Sequence, residues 1–257
     1  MSAARWTSER EDAIVATARA LADGAIGARA NAVAETDVFA WDTFRDLCAS
    51  GLVATGFPVE AGGSGAPMRA RIRIIEALAR VCSAAASMVT GTDLAGRPIV
   101  AGASPALVAE VVPRLIAGTA QSAFALTERL AGSDVAGLAT VARRDGDGWV
   151  LDGVKRYITR APVADWFVVV ARTDADATVG PRRGARGLSA FLVPRDAPGL
   201  VVGAIQPKLG WSGVPVAEVF LRGVRVPRER LLGREGDGMA LAQDTLVRAR
   251  IGHAAIA

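Results

Sequence analysis

Residues 145–159, DGDGWVLDGVKRYIT, decide the class of fold. The first four residues form a glycine-rich turn between two runs of β-forming residues, 139–144 and 149–152, and this pattern predicts a β-hairpin. Similar runs follow at Trp166–Arg172, Leu188–Pro194, Leu200–Ile205 and Val216–Val226. Turn-forming residues separate them at 180–187 and 196–199. Strands that follow one another without helices between them predict an antiparallel sheet or barrel domain.

The sequence before this sheet predicts helices. Apolar residues recur at helical spacing over residues 8–34, 41–51 and 68–82. Residues 52–58 are apolar without that spacing and predict a short extended segment. Ser104 and Pro105 are typical of a helix start, and Pro113 is expected to bend or end that helix.

A helical pattern returns at Asp237 and continues to Ala257 without a stop signal. We therefore expect an N-terminal α-helical domain at 1–119, a middle β domain at 120–233, and the first helix of a further helical bundle at 234–257. The fold class is α+β. We expect the rest of that bundle to be absent from this chain. The apolar residues of the last helix then predict association, either with itself or with a partner chain.

The composition argues against several classes of protein. About half of the residues are apolar, but no run reaches the roughly 18 apolar residues of a membrane span. The first residues lack the apolar core of a secretory signal, so we expect a cytoplasmic protein. The net charge is +4, but the arginines are scattered, which disfavours nucleic-acid binding. Cys48, Cys82 and the single histidine, His253, cannot form a zinc site of the usual type, so no metal is expected.

Three polar segments, 126–135, 155–159 and 208–211, interrupt the predicted sheet. Residues 126–135 combine a hydroxyl at Thr127 with a glycine that permits close backbone approach, so their N–H groups can face a carbonyl oxygen. In the second segment, Tyr157 and Thr159 lie two residues apart and should point to the same side of a strand. An aromatic plane beside a hydroxyl suits a flat heterocycle with hydrogen-bond acceptors at its edge. The alternative is an ordinary turn beside a surface strand, because Gly-Ser-Asp is common in turns.

These segments resemble the signatures of the acyl-CoA dehydrogenase family. FALTE at 124–128 with AGSDV at 131–135 is similar to the family's first signature, and LDGVKRYIT at 151–159 is similar to its Asn-Gly-x-Lys-x-Trp-Ile-Thr segment. Further matches keep the same order along the chain, at 51–63, 113–115, 191–194, 208–210, 224–227, 232–233 and 250–251. The resemblance covers nearly the whole chain.

The resemblance implies an oxidoreductase that holds FAD between the sheet domain and a C-terminal four-helix bundle. Its substrate would be an acyl thioester, carried by coenzyme A or by a carrier protein, and its electrons would pass to a separate acceptor. Thr127 and Thr159 would hydrogen-bond the flavin ring, and Tyr157 would pack against it where tryptophan is usual. The cofactor-binding residues implied are Phe124, Leu126, Thr127, Gly132, Ser133, Tyr157, Ile158 and Thr159. The substrate-binding residues implied are Ser133, Asp134 and Arg250.

The sequence departs from the family at the catalytic base. In family chemistry a glutamate removes the α-proton while the β-hydride passes to the flavin. That glutamate usually comes from the C-terminal domain, and in some members it precedes the arginine matched by Arg250, where this chain has Ala249. We therefore expect no catalytic base in this chain. Arg160 also replaces the family's asparagine, and Ser212 replaces an arginine.

Three functions remain open at this point. The first is a dehydrogenase whose missing half is provided by a second polypeptide or by a longer natural chain. The second is a non-catalytic partner subunit of a heteromeric acyl-CoA dehydrogenase, which Ala249 favours. The third is a related flavin monooxygenase or oxidase on the same scaffold.

Overall fold

Helices fill the first half of the chain in the structure, a computed structural model that describes residues 6–36, 38–173 and 187–257. They are α1 (Ser8–Leu21), α2 (Gly27–Ala34), α3 (Trp41–Ala49), α4 (Met68–Ala79), α5 (Ser83–Gly102) and α6 (Pro105–Ala117). A π-helical stretch, Ala22–Ile26, joins α1 to α2, and Gly24 within it has non-helical backbone angles. Glycine has no Cβ and adopts such angles without a steric clash, so the kink is tolerated at this residue.

The structure differs from the local predictions for this half in three places. Residues 52–58 are not extended, because Val53–Gly56 forms a 3-10 turn. Pro113 does not end α6, which continues to Ala117 and stops at Gly118, a glycine in the left-handed conformation with φ +74°. The helical run that begins at Met68 breaks after Ala79, and the 20-residue α5 that follows is a separate helix.

Eight strands form one sheet in the described ranges. They are β1 (Ser122–Ala125), β2 (Val141–Asp145), β3 (Gly148–Thr159), β4 (Trp166–Arg172), β5 (Leu188–Pro194), β6 (Leu200–Ile205), β7 (Val216–Val226) and β8 (Leu231–Leu232). Their order is β6-β7-β3-β2-β4-β5-β8, and β1 pairs with β4. The predicted hairpin is β2–β3. The predicted turn at 180–187 lies outside the described residues except for Gly187.

The sheet is mixed rather than purely antiparallel. β1 runs parallel to β4 along its whole length, and β2 meets β4 in one parallel bridge. The other pairings are antiparallel. After the β2–β3 hairpin, the chain passes through the short 3-10 turn Ala161–Val163 and enters β4. β4 then lies beside β1 and the start of β2, and it runs in the same direction as both. The predicted α+β class is confirmed, with this correction to the strand directions.

Alternate residues of β4 enter two different apolar clusters. Val168 and Val170 pack with the helices, whereas Phe167 and Val169 pack with Trp149 and other residues on the far side of the sheet. All seven β4 residues are therefore buried. Because the first cluster contains residues of α3, α4, α5 and α6 as well as strand residues, the helices and the sheet share one core.

The last helix, α7 (Gly238–Ala254), returns to the helical side. Its buried residues are small: Gly238, Ala242, Thr245, Ala249 and Gly252. A Cβ at residue 252 would lie only 2.9 Å from Cγ2 of Thr90 on α5, so the two helices approach closely. None of the described helices is long and apolar enough to span a bilayer. We retain the division of the chain at residues 119 and 233 as a proposal.

Candidate functional site

A cavity of about 200 Å³ lies where the helices meet the sheet. Its walls come from α5, from β1 and the segment after it, from the end of β3, from the loop after β6, and from α7. The lining residues are Ser87, Gly91, Leu94, Ser122, Ala123, Phe124, Leu126, Thr127, Tyr157, Ile158, Thr159, Arg160, Trp211, Leu246 and His253.

The cavity brings together most of the side chains that the sequence places near a cofactor: Phe124, Leu126, Thr127, Tyr157, Ile158 and Thr159. Thr127 and Thr159 are half-buried. Neither hydroxyl makes a hydrogen bond within the described ranges, so both remain available to a ligand.

The other predicted residues lie outside the cavity. Gly132, Ser133 and Asp134 are exposed in the turn that follows β1. Arg250 is exposed on α7, and Ala249 lies on the buried face of that helix. The cavity wall from α7 is formed instead by Leu246 and His253, which lie seven residues apart, about two helical turns.

A β-bulge sets the orientation of Tyr157. Lys155 pairs with Val219 and Ile158 pairs with Ala217, so two β3 residues oppose the single β7 residue Glu218. Tyr157 takes the left-handed conformation, φ +56°, and is 60% exposed. The strict alternation that predicts Tyr157 and Thr159 on one side of the strand is interrupted here, because a bulge re-aims side chains. Both residues line the cavity all the same.

Arg156, the other bulge residue, ties the first two polar segments together. Its backbone N–H donates to the Thr127 carbonyl oxygen at 2.8 Å. Its guanidinium pairs with Glu218 at 3.1 Å and lies 5.2 Å from the centre of the Tyr157 ring. The segment after β1 and the end of β3 are therefore held side by side, which places Thr127 next to the bulge.

A buried ion pair fixes the same two segments from beneath. The Lys155 ammonium donates to Glu128 Oε1 at 2.7 Å and to the Leu126 carbonyl oxygen at 3.1 Å. The Glu128 carboxylate also accepts the N–H groups of Ala139 and Thr140. Burial by itself would raise the pKa of Glu128, but Lys155 and these hydrogen bonds outweigh burial and lower that pKa. Burial lowers the pKa of Lys155 to about 8. The pair orders the cavity wall and does not line the cavity.

Arg160 closes the cavity at the end of β3. It is 1% exposed and adopts the left-handed conformation, φ +66°. Its Nη1 donates to the hydroxyl of Thr92 at 2.8 Å and to the side-chain oxygen of Gln121 at 3.2 Å. Its Nη2 donates to the carbonyl oxygens of Ser87 and Met88 at 2.9 and 2.7 Å. Arg160 therefore joins the sheet to α5.

An aromatic pair covers the α7 side of the cavity. The rings of Trp211 and His253 stack at a centroid distance of 5.5 Å with 11° between their planes. His253 Nδ1 lies 2.7 Å from the Ala249 carbonyl oxygen, which can only accept, so Nδ1 carries a proton. The Trp211 loop is held against the helices because Gly213 exchanges backbone hydrogen bonds with Thr36 and Ala40.

Sequence reasoning missed part of this wall. Trp211 belongs to a conspicuous polar segment, and His253 is the only histidine in the chain, so both carried a signal that could have been followed. Ser87, Gly91 and Leu94 lie in an alanine-rich helix whose sequence gives no functional signal. Only the packing of α5 against the sheet shows their place.

The donor set fits a flat heteroaromatic ring with acceptors at its edge. The Ser122 hydroxyl and Arg160 Nε are buried without a hydrogen-bond partner, and both residues line the cavity. Buried polar groups are normally paired, so unpaired ones at a cavity wall mark a place for a ligand. Together with the two free threonine hydroxyls and the Tyr157 ring, these groups suit the flavin part of FAD.

Comparison with protein families gives two matches that together cover most of the chain. The acyl-CoA dehydrogenase N-terminal domain matches residues 8–119, and the acyl-CoA dehydrogenase middle domain matches residues 123–224. A probable acyl-CoA dehydrogenase of Mycobacterium bovis, fadE25, is 37% identical over 238 residues, which are 93% of this chain and 60% of the relative. The chain thus spans about 60% of the length of such curated relatives.

Solved structures agree with these matches. Butyryl-CoA dehydrogenase from Megasphaera elsdenii superposes with a TM-score of 0.88 and 28% identity, over 98% of this chain and 65% of that one. A glutaryl-CoA dehydrogenase from Mycobacterium smegmatis, solved in complex with FADH2, superposes with a TM-score of 0.86 and 29% identity, over 96% of this chain and 61% of that one. The resemblance in the two signature segments is confirmed, and the chain belongs to the acyl-CoA dehydrogenase family.

Proposed function

We propose that this chain forms the FAD-holding part of an enzyme that introduces an α,β double bond into an acyl thioester. One observation carries the proposal: Thr127, Tyr157 and Thr159 line one cavity, with both threonine hydroxyls unpaired among the described residues. FAD is the cofactor of this family, as in the relative solved with FADH2. The prediction of FAD is confirmed at that level.

Different residues of the cavity would hold the cofactor and the substrate. When FAD is bound, Thr127 and Thr159 would donate hydrogen bonds to the edge of the flavin ring, and the Tyr157 ring would pack against it. Bound FAD supplies the acceptor for the hydride that leaves the β-carbon. Phe124, Leu126 and Ile158 exclude water from this region, which strengthens the polar contacts made there.

The wall formed by α5 and α7 suits the acyl part of the substrate. Leu94 and Leu246 are apolar side chains of this wall. The exposed turn with Gly132, Ser133 and Asp134 lies outside the cavity, where it can contact the carrier end of the thioester. We leave coenzyme A and a carrier protein as alternative carriers.

The cavity wall contains no carboxylate among its lining residues. We propose that a glutamate from outside these 257 residues removes the α-proton, on a helical segment of further sequence or of a second chain. The same segment would cover Arg250 and complete the flavin site. A separate protein in the cytoplasm would then accept the electrons from reduced FAD.

The test begins with the chain and FAD, followed by addition of the C-terminal helical domain of a relative. We expect visible flavin absorbance, and turnover of acyl-CoA with a dye acceptor once the helical domain is present. Thr127→Val and Thr159→Val should each weaken FAD binding by about 3- to 10-fold, because each removes one hydrogen bond. Thr17→Val on α1, outside the cavity, is the control. Colourless protein in every combination would refute the proposal.

A non-catalytic subunit is the second candidate, favoured by Ala249 and by the lining without a carboxylate. It predicts co-purification with a complete dehydrogenase whose activity is unaffected by Thr127→Val or Thr159→Val. An oxidase on the same scaffold would differ in one measurement, since its reduced flavin would consume oxygen rapidly.

A further inference from the structure

Arg160 is a buried cation whose described hydrogen-bond partners are all uncharged. They are two backbone carbonyls of α5, the Thr92 hydroxyl and the Gln121 amide oxygen. Two other buried cations of this protein pair with carboxylates: Lys155 with Glu128, and Arg71 with Asp93. A buried charge is costly unless it is paired, so the position of Arg160 needs a reason.

Two features of the backbone around Arg160 are also energetically unfavourable. The residue is in the left-handed conformation, which residues with a Cβ rarely adopt. On the opposite side, α5 carries a glycine at residue 91, although glycine is unfavourable inside helices. A Cβ at that residue would lie 2.4 Å from Nη2 of Arg160, so only glycine leaves space for the guanidinium. Strain of this kind gathers at functional sites.

No described group near Arg160 neutralises this charge at neutral pH. Burial lowers the pKa of Arg160, but only to about 10, so the guanidinium stays protonated. The neighbouring thiol of Cys48 has its pKa raised by burial to about 12 and stays neutral. The charge therefore acts on whatever occupies the cavity, and Nε of Arg160 still lacks a partner.

We infer that Arg160 is a positioning residue that stabilises negative charge on the cofactor and thereby raises the reduction potential of bound FAD. The inference rests on the proposed function, because FAD must occupy the cavity. Uptake of two electrons and one proton converts neutral flavin into its anionic reduced form. A fixed cation in a site of low dielectric favours that form over the oxidised one.

The test compares a neutral variant with a variant that keeps the charge. Arg160→Asn removes the cation, and asparagine tolerates the left-handed conformation. Arg160→Lys keeps the cation but loses the planar, multiply hydrogen-bonded guanidinium. Arg195→Gln is the control, because exposed Arg195 also donates to backbone carbonyls, those of Ala161 and Ala164, but does not line the cavity. The midpoint potential of bound FAD is measured against reference dyes, and folding is checked by circular dichroism.

We expect the equilibrium constant for FAD reduction to fall about tenfold or more in Arg160→Asn, equivalent to about 30 mV for a two-electron couple. It should stay within about threefold of the original in Arg160→Lys and Arg195→Gln. Equal shifts in the asparagine and lysine variants would mean that Arg160 acts only by joining the sheet to α5.

Two other results would also overturn the inference. If no neutral variant folds, including Arg160→Gln, the charge serves folding rather than the cofactor. Uptake of FAD with unchanged potentials overturns the inference alone, whereas absence of FAD uptake by the original chain, with and without the helical domain, overturns the proposed function as well.

Discussion

Individual side chains of the cavity wall depend on neighbouring residues for their placement. Lys155 and Glu128 lie below the wall, and their ion pair holds the segment carrying Thr127 against β3. The Arg160 guanidinium likewise fits against α5 because residue 91 is a glycine, which has no Cβ. Substitutions at these supporting positions should therefore alter stability first and ligand contacts second.

Glu128→Gln should lower the free energy of unfolding by about 3–5 kcal/mol at neutral pH, because it leaves the Lys155 ammonium buried without a carboxylate. The difference should shrink in acid. The folded-state pKa of Glu128 is lowered, so its contribution is present above the unfolded pKa and is lost as pH falls through the folded pKa. Urea unfolding between pH 7 and about 3 measures this difference.

The control for this substitution is Glu235→Gln, which removes an exposed pair with Arg144. Exposed pairs contribute at most about 1 kcal/mol, so this variant should stay close to the original protein. Equal losses in the two variants would contradict the stabilising role of the buried pair.

Gly91→Ala should destabilise the fold by about 1–3 kcal/mol, because the new methyl group overlaps the Arg160 guanidinium. The effect should not add to that of Arg160→Asn, since the second substitution removes the overlapping group. A double-mutant cycle measured by thermal unfolding checks the coupling. Gly210→Ala, where a Cβ meets nothing within 4 Å, is the matched control.

At the scale of elements, local pattern was sufficient for the strands β4, β5, β6 and β7, whose bounds agree with the predicted runs. Turn-forming residues flank these runs, so the signal is contained in the segment itself. The parallel partner of β1 could not be predicted, because strand pairing depends on how the chain returns after the hairpin. Pro113 lies inside α6 and does not end it. Here the packing around the helix outweighs the local preference of proline.

The residues of the candidate site were likewise predictable only in part. Motif resemblance located Thr127, Tyr157 and Thr159, and the structure places them in one cavity. It also suggested Ser133 and Arg250, which lie outside that cavity and stay predictions. The bulge at Tyr157 and the α5 wall depend on contacts between distant segments, which one sequence does not reveal.

The close approach of α7 to α5 gives a prediction for an element. Gly252→Val should lower the unfolding free energy by about 1–3 kcal/mol, because its Cβ would lie 2.9 Å from Cγ2 of Thr90. Val247→Ala, at an exposed position of the same helix, should change stability by less than about 0.5 kcal/mol. Thermal unfolding of the three proteins measures both effects. A tolerated valine at residue 252 would show that α7 can shift freely.

At the scale of the whole molecule, the helices and the sheet share one apolar cluster, so they should unfold together. Val168→Ala, on the sheet face that meets the helices, should cost about 2 kcal/mol. The helical circular dichroism signal and tryptophan fluorescence should shift by the same amount. Val169→Ala, which faces the other cluster, is the matched comparison. Separate midpoints for the two signals would show that helices and sheet unfold independently.

Tyr157 gives the molecule an internal reporter, because it is the only tyrosine in the chain and 60% of its surface is exposed. Isotopic enrichment in tyrosine alone would yield a single set of ring resonances, all from one wall of the cavity. Their chemical shifts would follow occupancy of that cavity by an aromatic ring directly, without a reporter dye or a turnover assay.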